Sequence, residues 1–239
     1  MKIEKISWVL ALGAIILQWY FMYTSDFLEI ELPFSTGLLT ADMAGGNVTM
    51  ILFSIIPIPF ILWLFSGTIT SVISGYGKLY IIRDYSKSKM LIKEVGKMLI
   101  VVMVICSFTW TLFQLLRSDR WIPLTAQEHI RVMTMYALTL TGTILLQFCL
   151  EFVWGQVYAQ TATLVYFTMS LFAYSLVKGT RALMLVRWIC FPNLAFGMRN
   201  GAVDTGAKGV FLYSMIEIVM ICSLLIYISL KFVNKKDIM

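Results

Sequence analysis

The sequence predicts an all-α fold, a polytopic bundle of six transmembrane helices, and three observations carry that expectation. The chain is 59% hydrophobic and 13% charged, with a mean hydropathy of +0.83, whereas a soluble domain is nearer a quarter charged. Six runs with at most one charge are long enough to cross a hydrocarbon core, which takes about 20 apolar residues per helix. The runs are continuous and do not alternate over about ten residues as membrane strands do. In lipid, a helix is the element that satisfies its own backbone within one segment.

The first run, 6–24, carries no charge. It follows Lys2 and Lys5, but no small-residue cleavage site comes after it (QWYFMYTSD), so it reads as a retained span and not a signal peptide. The second, 47–74, contains Pro57 and Pro59 in IIPIPF. Two prolines at i and i+2 free backbone carbonyls and bend a helix, either beside a cavity or as a static kink. The third and fourth, 98–116 and 132–150, are bounded by charges. The fifth, 152–177, is uncharged and aromatic, and a short turn near 151–156 joins it to the fourth. The sixth, 209–230, is interrupted only by Glu217.

Six spans put both termini on one side. With the termini in the cytosol, eleven Lys and Arg lie inside: Lys2, Lys5, six within 75–97, Lys231, Lys235 and Lys236. The other eight of the nineteen lie outside. Two early loops make the orientation firmer. The 25–46 loop has four acids and no Lys or Arg, while the 75–97 loop has six Lys and Arg. Positive loops are retained in the cytosol. The segment 178–208 then lies outside. Within it WICFPNLAFGM is uncharged but only eleven residues long, too short to cross. It fits a re-entrant or interfacial helical hairpin, or a loop packed over the bundle mouth, with Pro192–Asn193 making the bend.

Little in the chain points to chemistry. His129 is the one histidine, beside Arg131, and reads as a surface residue. Cys106, Cys149, Cys190 and Cys222 form no CxxC pair, and no His/Cys/Asp/Glu cluster has metal-ligand spacing. No GxSxG, HExxH or phosphate-binding glycine loop occurs. No catalytic residue, metal ligand or bound cofactor is expected, nor a nucleic-acid partner. Glu217, eight residues into the sixth span, is either a functional intramembrane carboxylate or an interfacial group paired with an outer cation such as Lys208. Glu151 reads as interfacial. Gln18, Gln114 and Gln147 are candidates for interhelical hydrogen bonds. Tyr158, Tyr166 and Phe167 could line an amphiphile path together with Pro57, Pro59 and Glu217, or serve as core and interface anchors.

The densest feature is 75–97, GYGKLYIIRDYSKSKMLIKEVGK, where Lys78, Arg83, Lys87, Lys89, Lys93 and Lys97 interleave with Tyr76, Tyr80 and Tyr85. It describes a short helix at the membrane surface. Its aromatic residues suit a partner's apolar groove, and its cations suit anionic lipid. With this segment, the six spans and the outer hairpin, the chain resembles the permease subunit of a short six-span ABC exporter. It is most similar to small permeases linked to export of, or immunity to, bacteriocins and other membrane-active peptides. The resemblance is one of architecture over nearly the whole chain, with GYGKL, IRDYSK and KEVGK as its best local piece.

That resemblance implies a multi-pass protein of a bacterial cell membrane, paired with a second permease, identical or related. Two copies of a cytosolic ATPase carrying ATP and Mg would dock on Tyr76, Lys78, Tyr80, Arg83, Asp84, Tyr85 and Ser86. Substrate would pass at the permease interface. A second class is a non-transporting immunity protein that sequesters a membrane-active peptide and needs no ATPase. A third, an intramembrane enzyme, would need paired polar residues at one depth in different spans, and only Glu217 lies well inside one.

Overall fold

The computed structural model describes residues 5–24, 55–74, 87–117, 123–177, 188–203 and 209–235, and the elements among them are all helical. They are α1 (Lys5–Thr24), α2 (Pro57–Phe65), α3 (Thr68–Ser74), α4 (Lys87–Leu115), α5 (Ala126–Trp154) and α6 (Gln156–Val177). A 3₁₀ turn (Phe191–Ala195), the single-turn α7 (Gly197–Asn200) and α8 (Val210–Lys235) follow. Four of the described helices are long and apolar enough to cross a membrane: α1, α4 over Ser88–Leu115, α5, and α8 over Val210–Val233. α6 has the length but is more polar, with Gln156, Gln160, Thr161 and Thr163 in its first half.

Helix α5 is the axis of the bundle. Two thirds of its most apolar window is buried (67%), against 28% for α1 and α8, and α4, α6, α8 and the 3₁₀ turn all pack on it. Its polar residues fit this position because they satisfy themselves. The hydroxyls of Thr139, Thr141 and Thr143 each donate 2.8 Å bonds to carbonyls one turn back. Small residues along this face let neighbours approach closely. The other long helices turn large apolar side chains outward: Ile6 and Val9 on α1, Ile100 and Met103 on α4, Leu212 and Leu224 on α8. Such faces suit lipid and not water.

Neighbouring contacts give the helix directions. Trp19 Nε1 donates to Leu116 O at 3.1 Å, so α1 and α4 end together. Arg131 lies over the Phe211 ring near the starts of α5 and α8, and Phe152 stacks on Phe232 near their ends. Those two helices are therefore parallel. The α2–α3 pair runs the same way, since Leu62 meets Gln147 and Gly67 meets Glu151.

Three boundaries differ from expectation. The described part of the expected 47–74 span, residues 55–74, is interrupted twice: by a turn at Ile56, directly before Pro57, which starts α2, and again at Ser66–Gly67, where Gly67 takes φ +76°. Residues 87–97, expected as part of a surface segment, are the opening turns of α4. There Leu91, Val95, Met98, Val102 and Ile105 are buried at alternating spacings of four and three, and Lys89 and Lys93 point outward. The fourth helix begins at Ala126, six residues early, because Thr125 and Glu128 form a capping box: Thr125 N–H donates to Glu128 Oε2 at 2.9 Å and Glu128 N–H to Thr125 Oγ1 at 3.3 Å. His129 therefore stands in a helix, not a loop.

Candidate functional site: a polar joint and a buried 188–203 segment

Two helix breaks meet at one residue. Between α2 and α3 the chain turns through Gly67, and between α5 and α6 through Gly155 at φ +79°. Both are left-handed conformations that glycine adopts without steric cost. Glu151, on the last turns of α5 and 4% exposed, faces the first break. Its carboxylate accepts from Gly67 N–H at 2.9 Å and from Ile69 N–H at 3.2 Å. Its backbone carbonyl accepts from Gly155 N–H at 3.2 Å. Gln147, one turn earlier and fully buried, donates from Nε2 to Leu62 O at 3.3 Å and to Glu151 Oε1 at 3.4 Å.

The physical logic is that of a helix cap supplied from another helix. Breaking a helix leaves N–H groups at the new start and carbonyls at the old end without partners. In an apolar bundle each such group is costly to leave unmade. The Glu151 carboxylate takes the donors, Gln147 takes a carbonyl, and the charge of Glu151 is met by several N–H groups. A Cβ on Gly67 would sit 2.8 Å from Gln156 Oε1, so the first residue of α6 closes the joint from the other side.

The second polar cluster fastens the 188–203 segment. Asn193 (1% exposed) donates from Nδ2 to Ser170 O at 2.7 Å and to Cys190 O at 2.8 Å, and its Oδ1 accepts from Arg199 Nη1. Asn200 Nδ2 donates to Leu194 O at 2.8 Å, and Ser214 Oγ on α8 donates to Asn200 O at 3.0 Å. Tyr166 Oη donates to Ile189 O. The Arg199 guanidinium lies 5.5 Å from the Phe196 ring centre. Burial of Cys190 pushes its thiol pKa up.

This segment reaches deep into the bundle. Phe191 fills the notch at Gly142, where an added Cβ would be 3.1 Å from its ring. Gly142 is sixteen residues into α5, about 24 Å along the helix at 1.5 Å per residue. Two short helical turns, the 3₁₀ turn and α7, build the segment, with Pro192 in the first and Gly201 (φ +75°) closing the second.

The coupling residues expected from the sequence, Tyr76, Lys78, Tyr80, Arg83, Asp84, Tyr85 and Ser86, lie outside the described residues. Of the expected path residues, Tyr166 holds the 188–203 segment, Phe167 is core at 2% exposure, and Tyr158 faces outward at 74%. Pro57 is buried and Pro59 half-buried in α2. Glu217 is buried in α8, one turn beyond Ser214. Tyr158 and Phe167 therefore share no surface. Gln147 has the interhelical role expected of it; the bonds of Glu151 to the α2–α3 break and the buried Asn193–Arg199 pair carry no signal in the sequence. The one sequence sign of the joint was a Gly at each break.

A family of proteins of unknown function, DUF2705, has a model that matches residues 11–239, and the chain belongs to that family. No curated protein and no solved structure matches it.

Proposed function

We propose that this DUF2705 protein is the six-span permease subunit of an ATP-driven exporter in the cell membrane, with both termini in the cytosol. The observation that carries the reading is the basic 75–97 segment, whose aromatic part is 75–86 and whose cations Lys87, Lys89, Lys93 and Lys97 stand on the opening turns of α4. The 75–86 part follows α3, whose start is tied to the α5–α6 junction, and it precedes α4. Tyr76, Tyr80 and Tyr85 offer aromatic anchors, and Arg83 and Asp84 offer charges for a partner. The partner is a cytosolic ATPase in two copies, which supplies ATP and Mg. A second permease, identical or related, completes the path. The 188–203 segment is then the outer re-entrant element. Apolar helix faces suit an amphipathic substrate such as a membrane-active peptide.

The test is purification from the native membrane in mild detergent, with mass spectrometry of what accompanies the chain. An ATPase at near one-to-one stoichiometry, lost when Arg83 and Asp84 are both changed to Ala, is the expected result. A chain that comes alone in several detergents refutes the reading and favours a protein that sequesters the peptide.

A further inference from the structure

We infer that Glu151 is a positioning residue that locks α3 to the α5–α6 junction, so that a push on the 75–86 segment moves the core of the bundle and not α3 alone. The coupling role rests on the exporter reading above; the lock itself does not.

The argument starts from the geometry of the two breaks. α3 is seven residues long, about 10 Å at 1.5 Å per residue. It follows the break at Gly67 directly and precedes 75–86 in the sequence. A break at a left-handed glycine is free to swing unless something holds both sides. Here Glu151 holds the α3 side and Gln147 the α2 side. The Glu151 side chain binds the N–H groups of Gly67 and Ile69, and its carbonyl binds the N–H of Gly155. Gln147 adds the end of α2 through Leu62 O, so the last turn of α2, the first of α3 and the α5–α6 corner share one hydrogen-bonded knot. Nothing of the kind is needed to stabilise a continuous helix, which would satisfy these groups internally. The knot thus keeps a helix broken at a fixed place and fixes how α3 moves.

Two arms test this. The first uses the full chain in lipid nanodiscs without any partner, and reads hydrogen exchange of the 67–74 amides against those of 98–116. Glu151→Gln keeps the shape but presents an NH₂ where an acceptor is needed, and is expected to speed exchange of the first amides of α3 at least tenfold. Glu151→Asp, one methylene shorter, is expected to fall between. Unchanged protection in Glu151→Gln overturns the lock.

The second arm uses the complex with the co-purified ATPase, and compares maleimide labelling of the native cysteines with and without ATP, Mg and vanadate. Glu151→Gln is expected to retain the ATPase at wild-type stoichiometry and to lose the nucleotide-dependent change. A change of wild-type size in Glu151→Gln overturns the coupling role. If the wild-type chain brings down no ATPase, the exporter reading and the coupling role fall together, and the exchange arm still decides the lock.

Discussion

Replacing Asn193 by Leu removes the side chain that pins the 188–203 segment while nearly conserving its volume. Three hydrogen bonds go: Nδ2 to Ser170 O, Nδ2 to Cys190 O, and Arg199 Nη1 to Oδ1. Cys190 O keeps the Asn193 N–H at 3.1 Å, so its loss is partial. The two neutral bonds contribute about 0.5–1.5 kcal/mol each, and the bond from the guanidinium about 1.5–3 kcal/mol. Taking the low end for the carbonyls gives about 3 kcal/mol for opening the segment. At 1.4 kcal/mol per factor of ten, that is an increase of about a hundredfold in the open population. Cys190 reports it directly, because it is 8% exposed when the segment is seated. Maleimide labelling in native membranes, quantified by peptide mass spectrometry, should therefore rise by about two orders of magnitude at Cys190. Cys149, bonded to Ser229 in the core, is the internal control and should stay slow. Tyr166→Phe, which removes one bond to Ile189 O, should give only a several-fold rise, as one bond is worth about 1 kcal/mol. A rise at Cys190 under threefold in Asn193→Leu refutes the reasoning. So does an equal rise at Cys149, which would mean that the bundle as a whole had loosened.

Three further outcomes follow from the packing. Gly142→Val should drive Phe191 out of its notch, since even a first carbon would meet its ring at 3.1 Å; overpacking of this kind costs about 1–3 kcal/mol, read as faster hydrogen exchange over 190–196, with Gly142→Ala intermediate. Gly67→Ala should destabilise by about 1–2 kcal/mol through its positive φ alone, and more through the 2.8 Å approach to Gln156. Adding Gln156→Ala should recover only the steric part in thermal unfolding of the detergent-solubilised protein. Thr125→Ala should remove the capping box of α5 at a cost of about 1 kcal/mol, visible as fraying of residues 126–129 in hydrogen exchange with the core unaffected.

The helical class was legible because lipid restricts the choice: a continuous apolar run of about 20 residues has no other way to satisfy its backbone. The 188–198 segment was legible in part, because eleven uncharged, mostly apolar residues are too few to cross a membrane. Helix boundaries were less so. The Thr125-x-x-Glu128 box and the stripe from Leu91 through Val95 to Met98 are local signals that extend α5 and α4 into polar sequence, where a hydropathy reading stops at the first charge. The prolines of IIPIPF drew the expected bend to Pro57 and Pro59. A turn at Ile56 does interrupt the helix directly before Pro57, which starts the next helix at no cost because that N–H has no intrahelical partner anyway; the second break, at Gly67, carried no proline signal.

From the order of residues alone come the helical class, the approximate places of the long helices and the basic 75–97 segment, because composition and period act locally. The fates of Glu151, Gln147, Asn193 and Arg199 depend on residues far along the chain, Gly67 and Leu62 for the first two and Ser170 among the partners of Asn193. A carboxylate directly after the end of an apolar run reads as solvated until another helix, broken at the same level, presents two N–H groups to it. Burial of a charge is settled by what stands opposite, and that is a property of the packed bundle.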